Sequence, residues 1–284
     1  MWRRIRRAAA ELDAVDTALV LTLLLLLLRP IGVGFVRPSL LLLAGAGLLL
    51  PSLKRSPTLW LALAALTAWR VASDWPLADN HAYLLSYWCL AIGLALRQAD
   101  PAVFLAANGR RLIALAFGFA VLWKVFLSPD YIDGTFFRVT LLSDPRFEAV
   151  TRLVGGLSAD LVERTRLALW QHTDGLAPSL EVPTLPGRFQ GLATFLTLWT
   201  AALEALVAIA FFVSRQRAAG VRDALLLVFC ATTYSVAPTI ASFGWLLLAM
   251  GFAQCDSTRA RMRLSYLFVF ALILVCRELL RATG

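Results

Sequence analysis

The stretch FAVLWKVFLSPDYIDGTFF, residues 119–137, decides the fold class of this chain. It is an apolar run that carries one amine, Lys124, and then breaks into SPDYIDG, where two carboxylates, Asp130 and Asp133, follow at once. An apolar segment that stops at a polar turn is typical of a helix leaving a membrane. A charge inside such a segment is costly, so Lys124 is a functional hypothesis by default.

The composition of the whole chain predicts the same class of protein. Of its 284 residues, 60% are hydrophobic and only 16% are charged, whereas a soluble domain has about 45–50% apolar and about 25% charged residues. Because backbone groups in lipid must be satisfied within each segment, we expect an all-α fold: a polytopic helical membrane protein with about nine transmembrane helices and one long outer loop. The predicted spans are Thr17–Val36, Ser39–Leu53, Pro57–Ser73, Asn80–Leu96, Arg111–Leu127, Gly191–Val213, Val221–Ala237, Ala241–Ala253 and Arg263–Leu280.

The basic residues predict the orientation of these spans. With the N-terminus in the cytoplasm, the inside segments carry four, two, three, three and three Lys or Arg residues, and the short outside gaps carry one, none and none. This asymmetry predicts a multi-pass protein of the bacterial inner membrane, with the N-terminus inside and the C-terminus outside. The net charge of +9 lies mainly in these gaps, so the lipid bilayer and not a nucleic acid is the expected partner.

A long gap divides the chain into three predicted parts. Residues 1–127 form an N-terminal five-helix membrane part, residues 128–190 an extracytoplasmic loop or lid, and residues 191–284 a C-terminal four-helix membrane part. The gap at 128–188 holds eight acidic residues and six arginines, so it lacks the basic excess of the inside loops. A loop of this length is more often functional than filler.

Two short helices are predicted outside the spans. A weak apolar stripe through Leu157, Leu161 and Leu169 predicts an amphipathic helix in the outer loop. The segment DPAVFLAANG at 100–109 predicts a short interfacial helix, with Asn-Gly at 108–109 as its stop.

The cysteines do not predict a metal site or a disulfide framework. Three of the four lie inside apolar runs, and none forms a C-x-x-C pair. Each fits the role of a small apolar side chain. The four are Cys89, Cys230, Cys255 and Cys276.

Four charged residues fall inside predicted spans: Arg29, Arg70, Lys124 and Glu204. The predicted topology puts the first three in the outer halves of their spans, whereas Glu204 lies deeper, in mid-span. Polar side chains from independent segments therefore lie in one zone of the outer leaflet, and this clustering predicts a functional site there. The other polar residues placed near this zone are Asn80, His81, Tyr83, Asp130 and Asp133.

Each of these residues also has a structural interpretation. The three basic residues lie near helix ends, where a long side chain can extend to the interface. Asp130 follows Ser-Pro and fits a turn or an N-cap, and His81 fits a hydrogen-bonded interfacial residue. A carboxylate in mid-membrane requires a partner or a proton, and a tie from Glu204 to Arg29 or Arg70 would supply a partner.

Three segments carry a resemblance to a known family. NHAYLLSYWCLAIGLAL at 80–96 resembles the Asn-His-x-Tyr helix of the vitamin K-dependent gamma-carboxylase family, and RRLIALAFGFAVLWKVFLSPDYIDG at 110–134 resembles its next helix and exit turn. TTYSVAPTIASFGWLLLAMGFA at 232–253 is similar to a late family segment with a polar break. Order and spacing agree across most of the chain. Bacterial relatives with only this membrane portion are called horizontally transferred transmembrane (HTTM) proteins.

The resemblance implies an outer-facing site that, in the carboxylases, deprotonates vitamin K hydroquinone, uses oxygen and carboxylates glutamate. His81 matches the family's histidine, and Tyr234 stands where a late histidine is frequent. The family's lysine directly precedes the exit turn, where this chain has Phe126. Lys124 lies two residues earlier, about 200° around a helix, so it points elsewhere unless the span is distorted there. The substrate-binding extramembrane domain is not expected after Leu280, and full carboxylase activity is not expected.

Two functions of different classes follow. In the first, an enzyme or redox protein uses a quinone or other prenyl-type lipid, with Lys124 as base, His81 stabilising developing negative charge, and Arg29 and Arg70 holding a headgroup. In the second, the chain is a non-enzymatic subunit of a larger complex of membrane proteins, which its nine tryptophans and two short spans favour. The predicted site residues are His81 and Lys124 as catalytic groups, and Arg29, Arg70, Asn80, Tyr83, Asp130, Asp133, Glu204 and Tyr234 as ligand-binding groups.

Overall fold

The computed structural model describes residues 11–75, 79–173, 185–213, 218–236 and 241–283. Within these ranges the regular elements are helices and no strand occurs, so the all-α prediction is confirmed. Several predicted features lie outside the described residues. They are the basic N-terminal segment 1–10, the middle of the outside gap at 76–78, most of the proline-rich end of the outer loop at 174–184, two inside arginines within 214–217 and the outside gap at 238–240.

Twelve helices of six residues or more are described. Nine of them each overlap one of the nine predicted spans, although α1 ends at Leu28, eight residues before the predicted limit at Val36, and three lie in the long outer gap. The helices are α1 (Ala14–Leu28), α2 (Val36–Leu49), α3 (Pro57–Ser73), α4 (Asn80–Ala95), α5 (Pro101–Leu122), α6 (Thr135–Ser143), α7 (Glu148–Leu153), α8 (Ala159–Thr173), α9 (Gly187–Phe212), α10 (Ala219–Val236), α11 (Ala241–Gln254) and α12 (Ala260–Thr283).

By length and composition, one described helix is able to cross a membrane. α9 has 26 residues, which extend about 39 Å at the rise of an α-helix and so exceed about 30 Å of hydrocarbon. Three apolar helices are shorter than α9: α1, α2 and the segment Ser242–Gln254 of α11.

Local signals explain where α1 and α4 begin. Asp13 precedes α1 and accepts a hydrogen bond from the backbone N–H of Asp16 at 3.0 Å. Asp79 precedes α4 and accepts one from the backbone N–H of His81 at 3.2 Å. Both are N-caps, in which a carboxylate satisfies a backbone donor that the first turn leaves without an intrahelical partner.

The chain divides into two compact units. Unit 1 comprises Met1–Phe117 and Val207–Gly284, and unit 2 comprises Gly118–Leu206. Unit 1 therefore holds α1 to α4, most of α5, the end of α9, and α10 to α12. Unit 2 holds the outer-gap helices α6 to α8 with the rest of α9.

The core of unit 1 surrounds α11. Its residues Trp245–Met250 are fully buried, and α11 packs on α1, α4, α10 and α12. A helix that is apolar all round is expected to be enclosed in this way. Close approach requires glycine, because a side chain at Gly251 would meet the ring of Tyr266, and one at Gly109 of α5 would lie 3.1 Å from the Met250 carbonyl oxygen.

Unit 2 has a small core of its own. Leu141 of α6, Val162 of α8 and Phe189 of α9 are buried in it. Leu161 and Leu169 pack against this core, as the apolar stripe in the sequence predicts. The outer gap therefore folds around buried residues contributed by its own helices.

The predicted short interfacial helix at 100–109 is wrong. α5 runs without a break from Pro101 to Leu122, through the expected stop at 108–109. The Asn108 amide donates to the Phe104 carbonyl one turn earlier, at 2.9 Å, and so does not cap the helix. Gly109 instead allows α5 to pack closely against α11. A glycine in this packing role does not end the helix.

Candidate functional site

A small polar cavity lies where α3 ends and α4 begins. Its volume is about 210 Å³, and its charged lining consists of Arg70 and Asp74 from the end of α3 and Asp79 and His81 from the start of α4. The loop after α1 closes it with Gly32, whose φ of +90° is readily adopted by glycine alone. Three segments distant in sequence therefore build this cavity within unit 1.

Ion pairs organise the charges in the cavity. Arg70 pairs with Asp74 one turn further along the chain. The Nδ1 of His81 lies 2.9 Å from Oδ1 of Asp79. The hydrogen bond from the His81 side chain is the main cause that holds the pKa of Asp79 below its ordinary value. The two basic side chains, Arg70 and His81, thus pair with the two carboxylates, Asp74 and Asp79. With His81 protonated, the four side chains carry no net charge.

The Asp79 cap predicts a dependence of stability on acid. Because the folded pKa of Asp79 is lowered, its contribution to stability is present above the unfolded value of about 3.9 and is lost as pH falls through the lower folded value. We expect Asp79→Asn, which keeps a good N-cap but cannot titrate, to flatten the fall in melting temperature between about pH 5 and pH 2. An unchanged pH profile in this variant, measured by tryptophan fluorescence, would contradict the assignment.

An apolar groove adjoins the polar cavity. It has a volume of about 720 Å³ and runs between α3 and α4. Val71 lines both the groove and the polar cavity, so the two spaces adjoin at that residue. Small residues on α3 leave the space, and longer side chains from α4 and Trp75 border it. The lining is Leu61, Ala64, Ala65, Ala68, Val71, Ala72, Trp75, Tyr83, Ser86, Tyr87 and Leu90.

Three other predicted site residues of unit 1 line neither space. Arg29 follows α1 as its C-cap, with its backbone N–H bonded to the Leu25 carbonyl at 2.9 Å. Asn80 is the exposed first residue of α4. Tyr234 is buried, with its ring 5.9 Å from Phe229. The structure therefore places Arg70 and His81 in the polar cavity and Tyr83 in the adjoining groove, and it places the three residues described above in neither.

In unit 2, Lys124 and Glu204 form an ion pair. The Lys124 Nζ lies 2.5 and 2.6 Å from the two carboxylate oxygens of Glu204. The side chains are only 20% and 10% exposed, and the amine also lies 4.7 Å from the centre of the Tyr131 ring. The partner of Glu204 is therefore Lys124, which binds both oxygens of its carboxylate, and not Arg29 or Arg70, the two partners that the sequence left open.

The backbone is distorted at this lysine. Residues Trp123–Leu127 form a π-helical turn directly after α5. Such a turn rotates the side chains that follow relative to a regular helix and often marks a functional position. The predicted direction of Lys124 depended on a distortion of this kind.

Asp130 and Asp133 belong to the exposed turn after the π-helical segment. Asp130 accepts from the Ser128 hydroxyl at 2.8 Å. Asp133 accepts from the backbone N–H of Thr135 at 2.8 Å, and its hydrogen bonds with Thr135 lower its pKa. Both carboxylates thus shape the turn, which agrees with the structural interpretation given for Asp130.

Sequence reasoning missed several residues that the structure places in polar clusters. Asp74 and Asp79 were signalled by their spacing, four residues after Arg70 and two before His81. Asp223 was missed altogether. It is fully buried and accepts from the Tyr266 hydroxyl at 2.9 Å, the Gln254 amide and Arg259. Its only signal was the Arg-Asp pair at the start of a predicted span.

The cavity, the groove and the helical fold define an all-α protein with a polar-ended apolar groove. Within the described ranges, no three His, Cys, Asp or Glu residues are placed to hold a metal ion. No family model, curated protein or solved structure matches the chain. The resemblance to the gamma-carboxylase family therefore stays a prediction.

Proposed function

We propose that this chain is a multi-pass membrane protein that binds a quinone- or prenyl-type lipid between α3 and α4. Nine spans would place the N-terminus inside and the C-terminus and outer gap outside. The observation that carries the proposal is that the apolar groove and the polar cavity adjoin at Val71. An amphiphile with a chain and a compact polar head needs these two environments side by side.

Exposed apolar side chains support the membrane location. They recur along the helices as whole faces, which would be unfavourable in water at roughly 25 cal/mol per Å². In a bilayer the same faces would contact lipid tails. On α9 the exposed large apolar residues are Phe195, Leu198, Trp199, Leu206, Ile209 and Phe212.

The groove suits a lipid chain. Its volume of about 720 Å³ falls within the range of about 300–1,000 Å³ typical of ligand sites. Its lining is apolar except for Ser86 and the two tyrosine hydroxyls of Tyr83 and Tyr87. A chain lying there would cover the small residues of α3 that line the groove.

The cavity suits a neutral head better than an anionic one. Arg70 is already paired with Asp74, and His81 with Asp79, so little positive charge is left to attract a phosphate. Quinone carbonyl oxygens accept hydrogen bonds, and hydroquinone hydroxyls also donate them. A cavity that offers both donors and carboxylate acceptors therefore favours a quinone-type head.

This arrangement gives His81 a definite role. When Nδ1–H donates to Asp79, Nε2 becomes the ring nitrogen that can accept a proton. His81 would take a proton from a hydroquinone hydroxyl, and the carboxylate of Asp79 would stabilise the imidazolium that forms. Lys124 would be less suited to act as a base, because both carboxylate oxygens of Glu204 already bind its amine.

Filling the groove tests the proposal. Ala68 is exposed and lines the groove, so Ala68→Trp would occupy lipid space without overpacking a core. We expect bound quinone, extracted from detergent-purified protein and counted by mass spectrometry, to fall roughly tenfold, the loss that about 1.4 kcal/mol of binding free energy gives.

Leu94→Trp is the matched control. Leu94 is exposed on α4 but does not line the groove, so this variant is expected to retain the lipid. Both variants should melt close to the unmodified protein, because substitutions at exposed sites change stability by about 0.5 kcal/mol or less. Equal quinone content in all three proteins, or none in any, would refute the proposal.

One observation favours the second function, an accessory subunit. The rings of Phe195 and Trp199 stack at 6.1 Å on the exposed face of α9, and a pair of exposed aromatic rings is typical of an interface anchor. Native mass spectrometry after gentle solubilisation distinguishes the two functions. A fixed heteromeric partner with no co-purifying quinone would support the subunit.

A further inference from the structure

Arg222, in the first turn of α10, is a buried charge with an unsatisfied donor. Only 3% of its surface is exposed, and its Nε has no hydrogen-bond partner within the described part of the chain. Its guanidinium lies over the ring of Phe211, 5.6 Å from the centroid. A buried cation requires a counter-charge, because an unpaired one costs several kcal/mol.

The carboxylate of Asp223, the next residue in the chain, cannot by itself supply the counter-charge that Arg222 requires. Asp223 already accepts from Gln254 and Tyr266 and pairs with Arg259. The Cys255 thiol also lies 3.7 Å from it, and burial raises the pKa of that thiol to about 12, so it stays protonated. Together these groups occupy the carboxylate oxygens of Asp223, which follows Arg222 in the chain.

Two further arginines lie near Arg222 among the described residues. Arg110 of α5 and Arg259 before α12 lie close enough to repel it electrostatically, while Asp223 attracts it. Of these two arginines, Arg259 pairs directly with Asp223. The first turn of α10 adds the partial positive charge of a helix N-terminus. A side chain at Gly220 in that turn would meet no described atom within 4 Å, so the turn is open there.

We propose that Arg222, with Arg110 and the first turn of α10, binds a phosphate-type oxyanion. In the predicted topology this end of α10 is at the cytoplasmic boundary of the membrane. The nearest phosphate-type oxyanion there is the phosphate of an anionic phospholipid. Free inorganic phosphate is the other source. Oxygen atoms of either group accept the planar donors of arginine. The site does not depend on the groove between α3 and α4.

Lipid binding to the full chain tests the site. The protein is reconstituted in vesicles of phosphatidylcholine alone or with one-fifth phosphatidic acid, and the lipid that it retains is measured by native mass spectrometry. We expect phosphatidic acid to be retained in preference, and Arg222→Met to reduce that preference at least tenfold. A charge-assisted hydrogen bond contributes about that much.

A second readout separates binding from folding. Without anionic lipid, Arg222→Met should melt at or above the temperature of the unmodified protein, since it removes an unpaired buried charge. With phosphatidic acid, only the unmodified protein should gain stability. A variant that merely unfolds would be less stable in both conditions, and that result would overturn the proposal.

A matched pair of arginines on α5 supplies the control. Arg110→Gln should weaken retention of phosphatidic acid, whereas Arg111→Gln, at an exposed position, removes the same charge and should not. Stabilisation by inorganic phosphate without a preference for phosphatidic acid would assign the site to the free anion. Equal retention of both lipids by all variants, with no effect of phosphate, would refute it.

Discussion

Replacing Asp223 with leucine is expected to reduce the free energy of unfolding by about 3–5 kcal/mol, the loss that follows when one partner of a buried ion pair is removed. The substitution would leave the Tyr266 hydroxyl, the Gln254 amide and the Arg259 guanidinium without their acceptor. Each such donor is costly when it is buried. Chemical unfolding in detergent, followed by tryptophan fluorescence, measures the loss.

Two variants make this result specific. Asp223→Asn keeps an oxygen that can accept from Tyr266 but loses the charge opposite Arg259, so we expect a smaller loss than for leucine. Asp256→Asn changes an exposed aspartate close by, whose pKa is lowered mainly by the backbone N–H of Thr258, and it should have little effect. Equal stability of Asp223→Leu and the unmodified protein would show that the cluster does not stabilise unit 1.

The positions of the long helices could be predicted from the sequence because their signals are local. Pro57 after Ser56 starts α3, and the Asp79 cap starts α4, within one residue of the predicted limits. Apolar runs fix the type and approximate length of each element. The exceptions were α1, which ends at Leu28 and not at Val36, and α5, where Asn-Gly at 108–109 looked like a stop. The packing of Gly109 against α11 explains why it is not.

The partners of the charged residues could be predicted only in part. Arg70 and Asp74 lie four residues apart, so the pair had a local signal that the sequence interpretation missed. Lys124 and Glu204 lie 80 residues apart, and which helix faces which depends on packing that no local pattern records. The π-helical turn at Trp123–Leu127 is likewise set by tertiary contacts, since no proline or glycine lies within it.

The same limit explains why the sequence could not identify which of the predicted site residues lie together. The predicted topology gives depth in the membrane and not position around the bundle, so Lys124 and His81 were assigned to one zone by depth alone. In the structure His81 belongs to the cavity of unit 1, and Lys124 belongs to the ion pair of unit 2. The prediction that Lys124 points elsewhere unless its helix is distorted was therefore more informative than its assignment as a base.

The Lys124–Glu204 pair predicts the second large effect. Glu204→Leu would leave an ammonium group that is only 20% exposed without its counter-ion, and we expect a loss of about 3–5 kcal/mol. Lys124→Met would leave the carboxylate of Glu204 unpaired, with a loss of similar size. Unfolding in detergent at neutral pH measures both.

The double variant Lys124→Met, Glu204→Leu decides what the pair does. Replacing a buried ion pair by apolar side chains of similar volume is often neutral or stabilising, so the double variant should regain most of the stability that each single variant loses. A coupling free energy of several kcal/mol in this double-mutant cycle would show a direct interaction. Additive losses would contradict the pair and restore Lys124 as an independent amine. If the double variant is stable and still retains the lipid, the pair serves packing in unit 2, and the chemistry must be sought at His81.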